Sequence, residues 1–154
     1  MRVHRFSVLA ALALAASAPQ AAVLTVGPGS DCNTSSLATA ITLADGLSGP
    51  DEIRIASTVV LTAQHLAISN QSLALSGGWS DCAANAIQVG RSTIVGDGRA
   101  SVLSVRETTG SSYTLSLDRI NLSGGGGGDD GVGGGIDLYG RWSVTVRRME
   151  IRDN

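Results

Sequence analysis

Residues 112–125 and 141–154 are two copies of one apolar pattern, and this repeat restricts the possible folds more than any other feature of the chain. When the copies are aligned, the matched apolar pairs are Tyr113 and Trp142, Leu115 and Val144, Leu117 and Val146, Ile120 and Met149, and Leu122 and Ile151. Each copy contains two short runs with an apolar residue at every second position, separated by two residues that break the alternation. Alternation predicts a strand with one buried face, and the break predicts a bend that keeps this face buried.

A 29-residue unit of two strands and a bend is typical of a β-solenoid, in which each turn of the chain adds one unit. Further short alternating runs lie at residues 53–55, 73–75, 93–95, 102–105 and 136–138. An antiparallel sandwich or barrel would also contain short strands at regular spacing. Hairpin strands need no common register at a fixed offset, so the repeat favours the solenoid.

A pair drawn from Gly, Asp and Asn follows three of the alternating runs, at Gly77-Gly78, Gly124-Gly125 and Asp153-Asn154. These residue types adopt positive φ more readily than others, so the pairs predict a tight turn at one recurring corner. The second pair lies in the glycine-rich stretch 123–140. We therefore predict that this stretch is a long surface loop at that corner, and that Ile136 and Leu138 resume the next strand.

Residues 34–45 show helical periodicity. Their apolar residues recur at the spacing of one helical face and are Leu37, Ala40, Ile41 and Ala44. Ser35 or Ser36 is suited to cap the amino terminus of the helix, and residues 46–50 contain the glycines and proline that end it. A solenoid has an open end whose apolar interior must be covered, and we expect this helix to cover it.

Residues 1–22 have the composition of a secretory signal peptide, with basic residues before an apolar run at 6–16 and small residues after it. That run is too short to span a bilayer, and no later run approaches the necessary length. Without Arg2 and Arg5, nine arginines remain against 13 acidic residues, a net charge of −4. This balance disfavours nucleic-acid binding. We expect an exported mature protein without a transmembrane segment.

Cys32 and Cys82 each end a Ser-Asp-Cys tripeptide and are the two cysteines of the chain. In an oxidising compartment, an isolated pair is most simply a disulfide. A redox pair would need a close Cys-x-x-Cys spacing, and a zinc site would need more ligands. The predicted disulfide closes a loop of about 50 residues, for which the chain-entropy model gives a stabilisation of about 4 kcal/mol.

The amino-terminal region resembles the CSLREA domain that opens many secreted bacterial right-handed parallel β-helix proteins. The matching positions are Leu24-Thr25-Val26, Cys32, residues 36–41, Ala44-Asp45 and Pro50-Asp51-Glu52-Ile53. Residues 133–136 are similar to repeats of polymorphic outer-membrane and autotransporter-like β-helix proteins. The chain departs from the cap motif at Ala38-Thr39, where the motif has Arg-Glu, and at Ser35, where it has cysteine.

The resemblance implies an all-β fold, a right-handed parallel β-helix like that of pectate lyases, with a short amino-terminal capping helix. It also implies secretion or display at the bacterial cell surface. The chain then divides into a signal peptide at 1–22, a cap at 23–50 and the first coils of the β-helix at 51–154. Because Asn154 falls where a coil turns, we expect further coils downstream or a partner chain that supplies them.

Residues 125–133 fit the calcium-binding nonapeptide pattern, with Asp129 and Asp130 as candidate ligands. Calcium needs about six to eight oxygen ligands, which such repeats obtain from stacked neighbours. The next nine residues place Asp137 and Tyr139 where the pattern needs glycine and aspartate. The sequence therefore favours a surface loop over a metal site, and calcium is the single candidate cofactor.

A polysaccharide lyase or glycoside hydrolase with its site on later coils is the alternative function, because right-handed β-helices include pectate lyases, polygalacturonases and other proteins that act on polysaccharides. A lyase needs clustered carboxylates that hold calcium near a basic residue, and a hydrolase needs two carboxylates that face one cleft. The nearest candidates are Asp118, Asp137 and Glu150, with Arg119, Arg147 and Arg148. Charged side chains that point outward from strands are more often solvated, so we expect no catalytic residue in these 154 residues.

Tyr113 and Trp142 are brought into register by the 29-residue offset. The two rings could form a platform for sugar rings or could pack where their strands begin, and the sequence favours packing without excluding the platform. We expect a secreted or cell-surface scaffold, similar to an adhesin or an autotransporter passenger, that binds polysaccharide or another cell-surface ligand.

Overall fold

The computed structural model describes residues 21–127 and 134–154 as a β-rich chain with one short helix. In chain order, the elements are β1 (Val23–Val26), α1 (Leu37–Asp45), β2 (Asp51–Ala56), β3 (Val60–Gln64), β4 (Leu66–Ser69), β5 (Leu73–Trp79), β6 (Ser92–Gly96), β7 (Leu103–Arg106), β8 (Tyr113–Asp118), β9 (Ile120–Ser123), β10 (Ile136–Tyr139), β11 (Trp142–Arg147) and β12 (Glu150–Arg152). Residues 1–20 of the predicted signal peptide lie outside the described residues.

The strands form three sheets in which all neighbouring strands are parallel. The first sheet has the order β1-β2-β5-β8-β11, the second β12-β9-β6-β3 and the third β10-β7-β4. From β2 onward, consecutive strands join the first, second and third sheet in turn. Neighbours within a sheet are therefore distant in sequence.

The prediction of a right-handed parallel β-helix is wrong, because the strands form three separate parallel sheets and not a clear solenoid. Regular coils would give one constant offset, whereas the sequence separation of facing residues varies along the first sheet. The facing pairs are Val23 and Glu52, Asp51 and Leu73, Leu73 and Leu115, and Tyr113 and Trp142. Unequal connections cause this variation, and they range from the single residue Arg119 to the long segment at 80–91.

The 29-residue register itself is confirmed for the two copies in which it was found. Leu117 faces Val146 across β8 and β11, and Leu122 faces Ile151 across β9 and β12. Leu122 follows Leu117 at the same distance along the chain as Ile151 follows Val146, so the same offset holds in both sheets. A fixed offset between two copies therefore predicts strand pairing locally, although it does not extend along the whole chain.

The predicted bends and turns occur at residues with positive φ. Arg119 and Arg148 form the two equivalent bends, with φ of 56° and 49°. At the next turn, Gly124 and Asp153 have φ of 69° and 54°, and the Gly124 N–H donates to the Asp153 carbonyl at 3.0 Å. Residue types that tolerate the left-handed region thus occupy the turn, as the sequence predicts.

The predicted capping helix is present as α1. Ser36 is its N-cap, and the Ser36 hydroxyl accepts a hydrogen bond from the Thr39 N–H at 3.2 Å. The four residues of the predicted apolar face are all buried and are Leu37, Ala40, Ile41 and Ala44. Helix α1 contacts β1, β2 and β4. No helix in the described ranges is long and apolar enough to cross a membrane.

The apolar core is one cluster that contains residues from α1 and all three sheets. Its fully buried large side chains are all leucine or isoleucine, and include Ile53, Leu75 and Leu115 in the first sheet, Ile94 and Leu122 in the second, and Ile68 and Leu103 in the third. Because aromatic residues make up only 3% of the sequence, aliphatic side chains must fill this space. Trp142 is the one aromatic residue in the described part of the chain that packs against this cluster, and it is only partly buried.

The predicted disulfide between Cys32 and Cys82 is present, with a Cα–Cα distance of 5.0 Å. It joins the segment between β1 and α1 to the long connection at residues 80–91. A Cβ atom on Gly27 would lie 2.6 Å from the Cys32 Sγ, so only glycine fits beside the disulfide without a shift of neighbouring atoms. The disulfide thus joins two segments that lie outside the strands and the helix.

Strands β11 and β12 lie at the edges of their sheets and leave apolar side chains exposed. Val146 and Ile151 are each 50% exposed, whereas Leu117 and Leu122, which face them in register, are 1% and 2% exposed. The apolar alternation therefore continues to an edge where nothing in the described residues covers it.

Candidate ligand-binding site

Three of the four aromatic residues in the described part of the chain lie at one corner of the fold. Tyr139 ends β10 in the third sheet, while Tyr113 and Trp142 begin β8 and β11 in the first sheet. We call these three residues the aromatic corner. The chain passes from the third to the first sheet at this point, so the short connections fix where the rings lie.

The rings of Tyr113 and Trp142 pack against each other. Their centroids are 5.6 Å apart with an angle of 36° between the ring planes, and both residues are half-buried. The Trp142 Nε1–H donates to the Tyr139 carbonyl at 3.1 Å, and the Tyr113 hydroxyl lies 3.2 Å from the Thr109 Oγ1. The predicted pairing of these rings is confirmed, and the contacts hold them in place while part of each remains accessible.

Tyr139 is the most accessible ring of the aromatic corner, with 62% of the residue exposed. Its backbone carbonyl accepts two hydrogen bonds, one from the Trp142 Nε1–H and one from the Glu107 N–H at 2.9 Å. Its side chain makes no hydrogen bond among the described residues, so the ring is available to a ligand while its backbone is fixed. The 29-residue register pairs Tyr139 with no other aromatic residue, so the sequence pattern does not identify it as a site residue.

Glu107 holds two connections of this corner together. It is only 5% exposed, and its carboxylate accepts from the Gly110 and Arg141 N–H groups, the latter at 3.3 Å, and from the Thr109 hydroxyl at 3.2 Å. Burial raises the pKa of the Glu107 carboxyl, but these hydrogen bonds outweigh burial, so the pKa lies below its ordinary value. Gly140 packs closely against Glu107, and a Cβ atom added to Gly140 would lie 2.6 Å from the Glu107 Cβ.

Two open cavities flank the aromatic corner. One, of about 470 Å³, lies beside the end of α1, and Asp45, Gln71, Ser72 and Tyr113 are among its lining residues. The other, of about 560 Å³, is lined by residues including Glu107, Tyr139 and Arg141. Volumes of this size are in the range of small-ligand sites, about 300 to 1,000 Å³.

The two cavities share a wall formed by Asn70 and Thr108. Asn70 lines the first cavity and Thr108 the second. The Thr108 N–H donates to the Asn70 Oδ1 at 2.9 Å, and the Asn70 Nδ2 donates to the Thr108 Oγ1 at 3.2 Å. The cavities are therefore adjacent, and together with the aromatic rings they form one continuous candidate surface.

The carboxylates considered as catalytic candidates are not brought together. Asp118, Asp137 and Glu150 lie in the first, third and second sheets, respectively. Each is in an ion pair with an arginine. Asp118 pairs with Arg148 at 2.6 Å, Asp137 with Arg106 at 3.1 Å, and Glu150 with Arg91 at 3.5 Å. Ion pairs on a protein surface contribute little stability. Because the three carboxylates lie in different sheets, no two of them face one cleft.

The remaining candidate arginines make structural contacts or are exposed. The Arg119 Nη1 donates to the Gly90 carbonyl at 3.4 Å, and Arg147 faces Asp118 in register across β8 and β11. Within residues 21–127 and 134–154, no three side chains of His, Cys, Asp or Glu form a group that could hold a metal ion. The candidate calcium ligands Asp129 and Asp130 lie outside these ranges.

Comparisons with protein-family models, with curated proteins and with solved structures found no match to this chain. The candidate site must therefore be interpreted from its own residues. Those residues supply accessible rings, amide and hydroxyl groups, one arginine and one exposed carboxylate around two cavities. Rings with polar groups at their edges suit ligands that have both apolar faces and hydroxyl groups.

Proposed function

We propose that this protein is an extracellular or cell-surface scaffold that binds carbohydrate at the aromatic corner. The concentration of Tyr113, Tyr139 and Trp142 at one accessible corner is the observation that carries this proposal. Sugar rings have apolar C–H faces that stack on aromatic side chains, and their hydroxyl groups need the hydrogen-bonding partners that the adjacent cavities offer. Of the three rings, Trp142 also packs against the apolar core, whereas Tyr139 is mostly exposed.

The disulfide and the sequence of the amino-terminal region support an extracellular location. Cys32–Cys82 is compatible with an oxidising compartment, since disulfides are rare in the reducing cytosol. The signal-like composition of residues 1–22 and the resemblance of the following segment to CSLREA domains favour export and display. A role like that of an adhesin, in which the scaffold presents a binding surface to polysaccharide, fits these features.

The proposal is tested by measuring binding of the disulfide-bonded protein to a panel of soluble oligosaccharides and polysaccharides by isothermal titration calorimetry. We expect Trp142→Ala and Tyr139→Ala each to weaken binding about fivefold to tenfold, since one ring contact contributes about 1 kcal/mol. Tyr139→Ala separates binding from folding, because its side chain is mostly exposed. Ile87→Ala, which changes an apolar residue that is 65% exposed outside the aromatic corner, is the matched control.

Two results would contradict this proposal. The first is that the wild-type protein binds no carbohydrate, or that Tyr139→Ala and Ile87→Ala have equal effects. The second is turnover: release of unsaturated products or new reducing ends from polysaccharides, with or without calcium, would indicate a lyase or hydrolase. A scaffold should give no product above the level of a buffer control.

A further inference from the structure

Three arginines lie side by side at the corner where the chain passes from the first to the second sheet. Arg91 directly precedes β6 and Arg119 directly precedes β9, and the pairing of Ser92 with Ile120 places the two arginines next to each other. Arg148 occupies the bend before β12 that is equivalent to Arg119. Neighbouring parallel strands lie about 4.8 Å apart, so the backbone positions of the three arginines follow one another at about this distance. We call these three residues the arginine row.

The carboxylates near the arginine row do not balance its charge. Arg148 pairs with Asp118 at 2.6 Å, and Arg91 pairs with Glu150 at 3.5 Å. Glu150 is shared with a second arginine, which lies in β12 at 3.4 Å. Arg119 is half-buried and has no carboxylate within ion-pairing distance among residues 21–127 and 134–154. A half-buried cation between two other cations is unfavourable unless an anion joins it.

Arg119 also has a hydrogen-bond donor that nothing in the described part of the chain uses. Its Nη1 donates to the Gly90 carbonyl at 3.4 Å, but its Nε–H is buried from water and has no partner among the described residues. Hydration therefore does not satisfy this group. The Oδ1 of Asn121, two residues further along the chain, is likewise buried and without a partner in the described ranges. Buried polar atoms without partners cost free energy, so this donor and this acceptor indicate a ligand that carries the complementary groups.

The ion pair of Arg91 with Glu150 crosses over these atoms. Strand β9 lies between β6 and β12 in the second sheet, so an ion pair between residues at the beginning of β6 and of β12 spans β9. Glu150 faces Asn121 in register, which places the ion pair at the level of the two unpartnered atoms. The two side chains of the pair are 45% and 43% exposed. A surface ion pair of this kind contributes little stability, so a ligand anion can take the place of Glu150 opposite Arg91.

We propose that the arginine row binds an acidic polysaccharide through the sulfate or carboxylate groups of the polymer. An anionic group displaces Glu150 from Arg91 and accepts a hydrogen bond from the Arg119 Nε–H, while a neighbouring sugar hydroxyl donates to the Asn121 Oδ1. An acidic polysaccharide supplies both functions, whereas the phosphate backbone of duplex DNA carries no hydroxyl group. A linear polymer also suits cations that lie in a row. This inference goes beyond the aromatic corner, shares no residue with it and does not depend on what binds there.

The test measures binding of dextran sulfate and of polygalacturonate to the full disulfide-bonded protein by isothermal titration calorimetry at low ionic strength, with uncharged dextran as the reference. At least one acidic polymer should bind more tightly than dextran, and the preference should fall as salt is added, because salt screens exposed charges. Tight binding of dextran sulfate alone identifies the sulfate group, and of polygalacturonate alone the carboxylate. Arg119→Asn and Arg91→Asn should each weaken this binding about tenfold, since each removes a charged hydrogen-bond donor.

Arg99→Asn is the matched control, because Arg99 is exposed in the connection between β6 and β7, outside the arginine row. It removes the same charge and should change the affinity less than about twofold. Asparagine is chosen because it tolerates the positive φ of 56° at Arg119, and the Tm of each variant shows whether the fold is kept. If Arg119→Asn does not fold, Arg91→Asn still decides the test, because the Arg91 side chain is 45% exposed.

Glu150→Gln should have the opposite effect on binding. It removes the carboxylate that occupies the place of the ligand anion, so the affinity for the acidic polymer should rise up to about fivefold, which corresponds to the contribution of one surface ion pair. The Tm should stay close to that of the wild type. A loss of affinity in Glu150→Gln would contradict the displacement of Glu150 by the ligand.

The remaining outcomes separate this proposal from the proposed function. Equal losses in Arg119→Asn and Arg99→Asn would show that net charge alone attracts the polymer, and the arginine row would be refuted as a site. Equal affinity for acidic and uncharged polymers would also refute it, while the aromatic corner would stand if Tyr139→Ala still weakened carbohydrate binding. If duplex DNA binds as tightly as the acidic polysaccharide and shows the same loss in Arg119→Asn, the polysaccharide class of ligand is wrong.

Discussion

Glu107 shows how one buried carboxylate can organise a surface site. Its carboxylate binds Thr109 and Gly110, which lie between β7 and β8, and also the backbone N–H of Arg141, the residue before Trp142. Residues of this kind are difficult to identify from sequence, because Glu107 belongs to no motif and its partners are mainly backbone N–H groups.

Glu107→Gln should destabilise the protein near neutral pH, and this loss should shrink on acidification. The folded-state pKa of Glu107 lies below its ordinary value, so its ionised form contributes stability above the unfolded pKa of about 4.3. That contribution disappears as the pH falls through the folded-state pKa, where the wild-type carboxyl is protonated. Urea unfolding of both proteins between about pH 3 and pH 7 measures the difference.

Glu150→Gln is the control for this measurement, because Glu150 is a partly exposed glutamate in surface ion pairs. Its effect on the free energy of unfolding should be small at every pH. A Glu107→Gln effect that stays constant with pH, or grows on acidification, would show that the carboxylate form of Glu107 is not what stabilises the corner.

At the scale of elements, the sequence predicted α1, its buried face and the pairing of the two repeat copies, because each depends on a local period. The overall arrangement was predicted wrongly, since it depends on connections whose length the strand pattern does not constrain. Strands β3 and β4 were also missed. Strand β3 buries a single apolar side chain, Leu61, which is too little alternation to recognise.

The disulfide joins two such connections, and its removal should lower stability strongly. For Cys32→Ala/Cys82→Ala we expect a loss of about 4 kcal/mol, because the closed loop spans 50 residues. Urea unfolding of the double variant and of the wild type with and without reductant gives this value. The double variant should not respond to reductant, and a wild type equally stable in both conditions would contradict the prediction.

At the scale of the whole molecule, stability should decrease from the covered to the uncovered edge of the sheets. Ile94 and Ile151 both face Leu122, from opposite sides, in the second sheet, yet they are 1% and 50% exposed. We expect Ile94→Ala to cost about 2 to 5 kcal/mol and Ile151→Ala less than about 1 kcal/mol. The two substitutions are chemically identical, so each serves as the control for the other in urea unfolding.

A loss of equal size at both positions would show that Ile151 is buried in solution. The edge formed by β11 and β12 would then have a covering partner, which analytical ultracentrifugation of the same sample could detect. Unequal losses would confirm that, in the second sheet, the fully buried apolar side chains end at β9.

The unequal connections described above have a consequence for engineering. In the first sheet, Leu73 pairs with Asp51 on one side and with Leu115 on the other. The second pair is nearly twice as far apart in sequence as the first, yet both are in register. Parallel pairing of neighbouring strands therefore tolerates connections of different length between them. Foreign peptides could be introduced at the exposed residues 83–85, in the connection between β5 and β6, without changing which strands pair, so the protein could carry such inserts as a display framework.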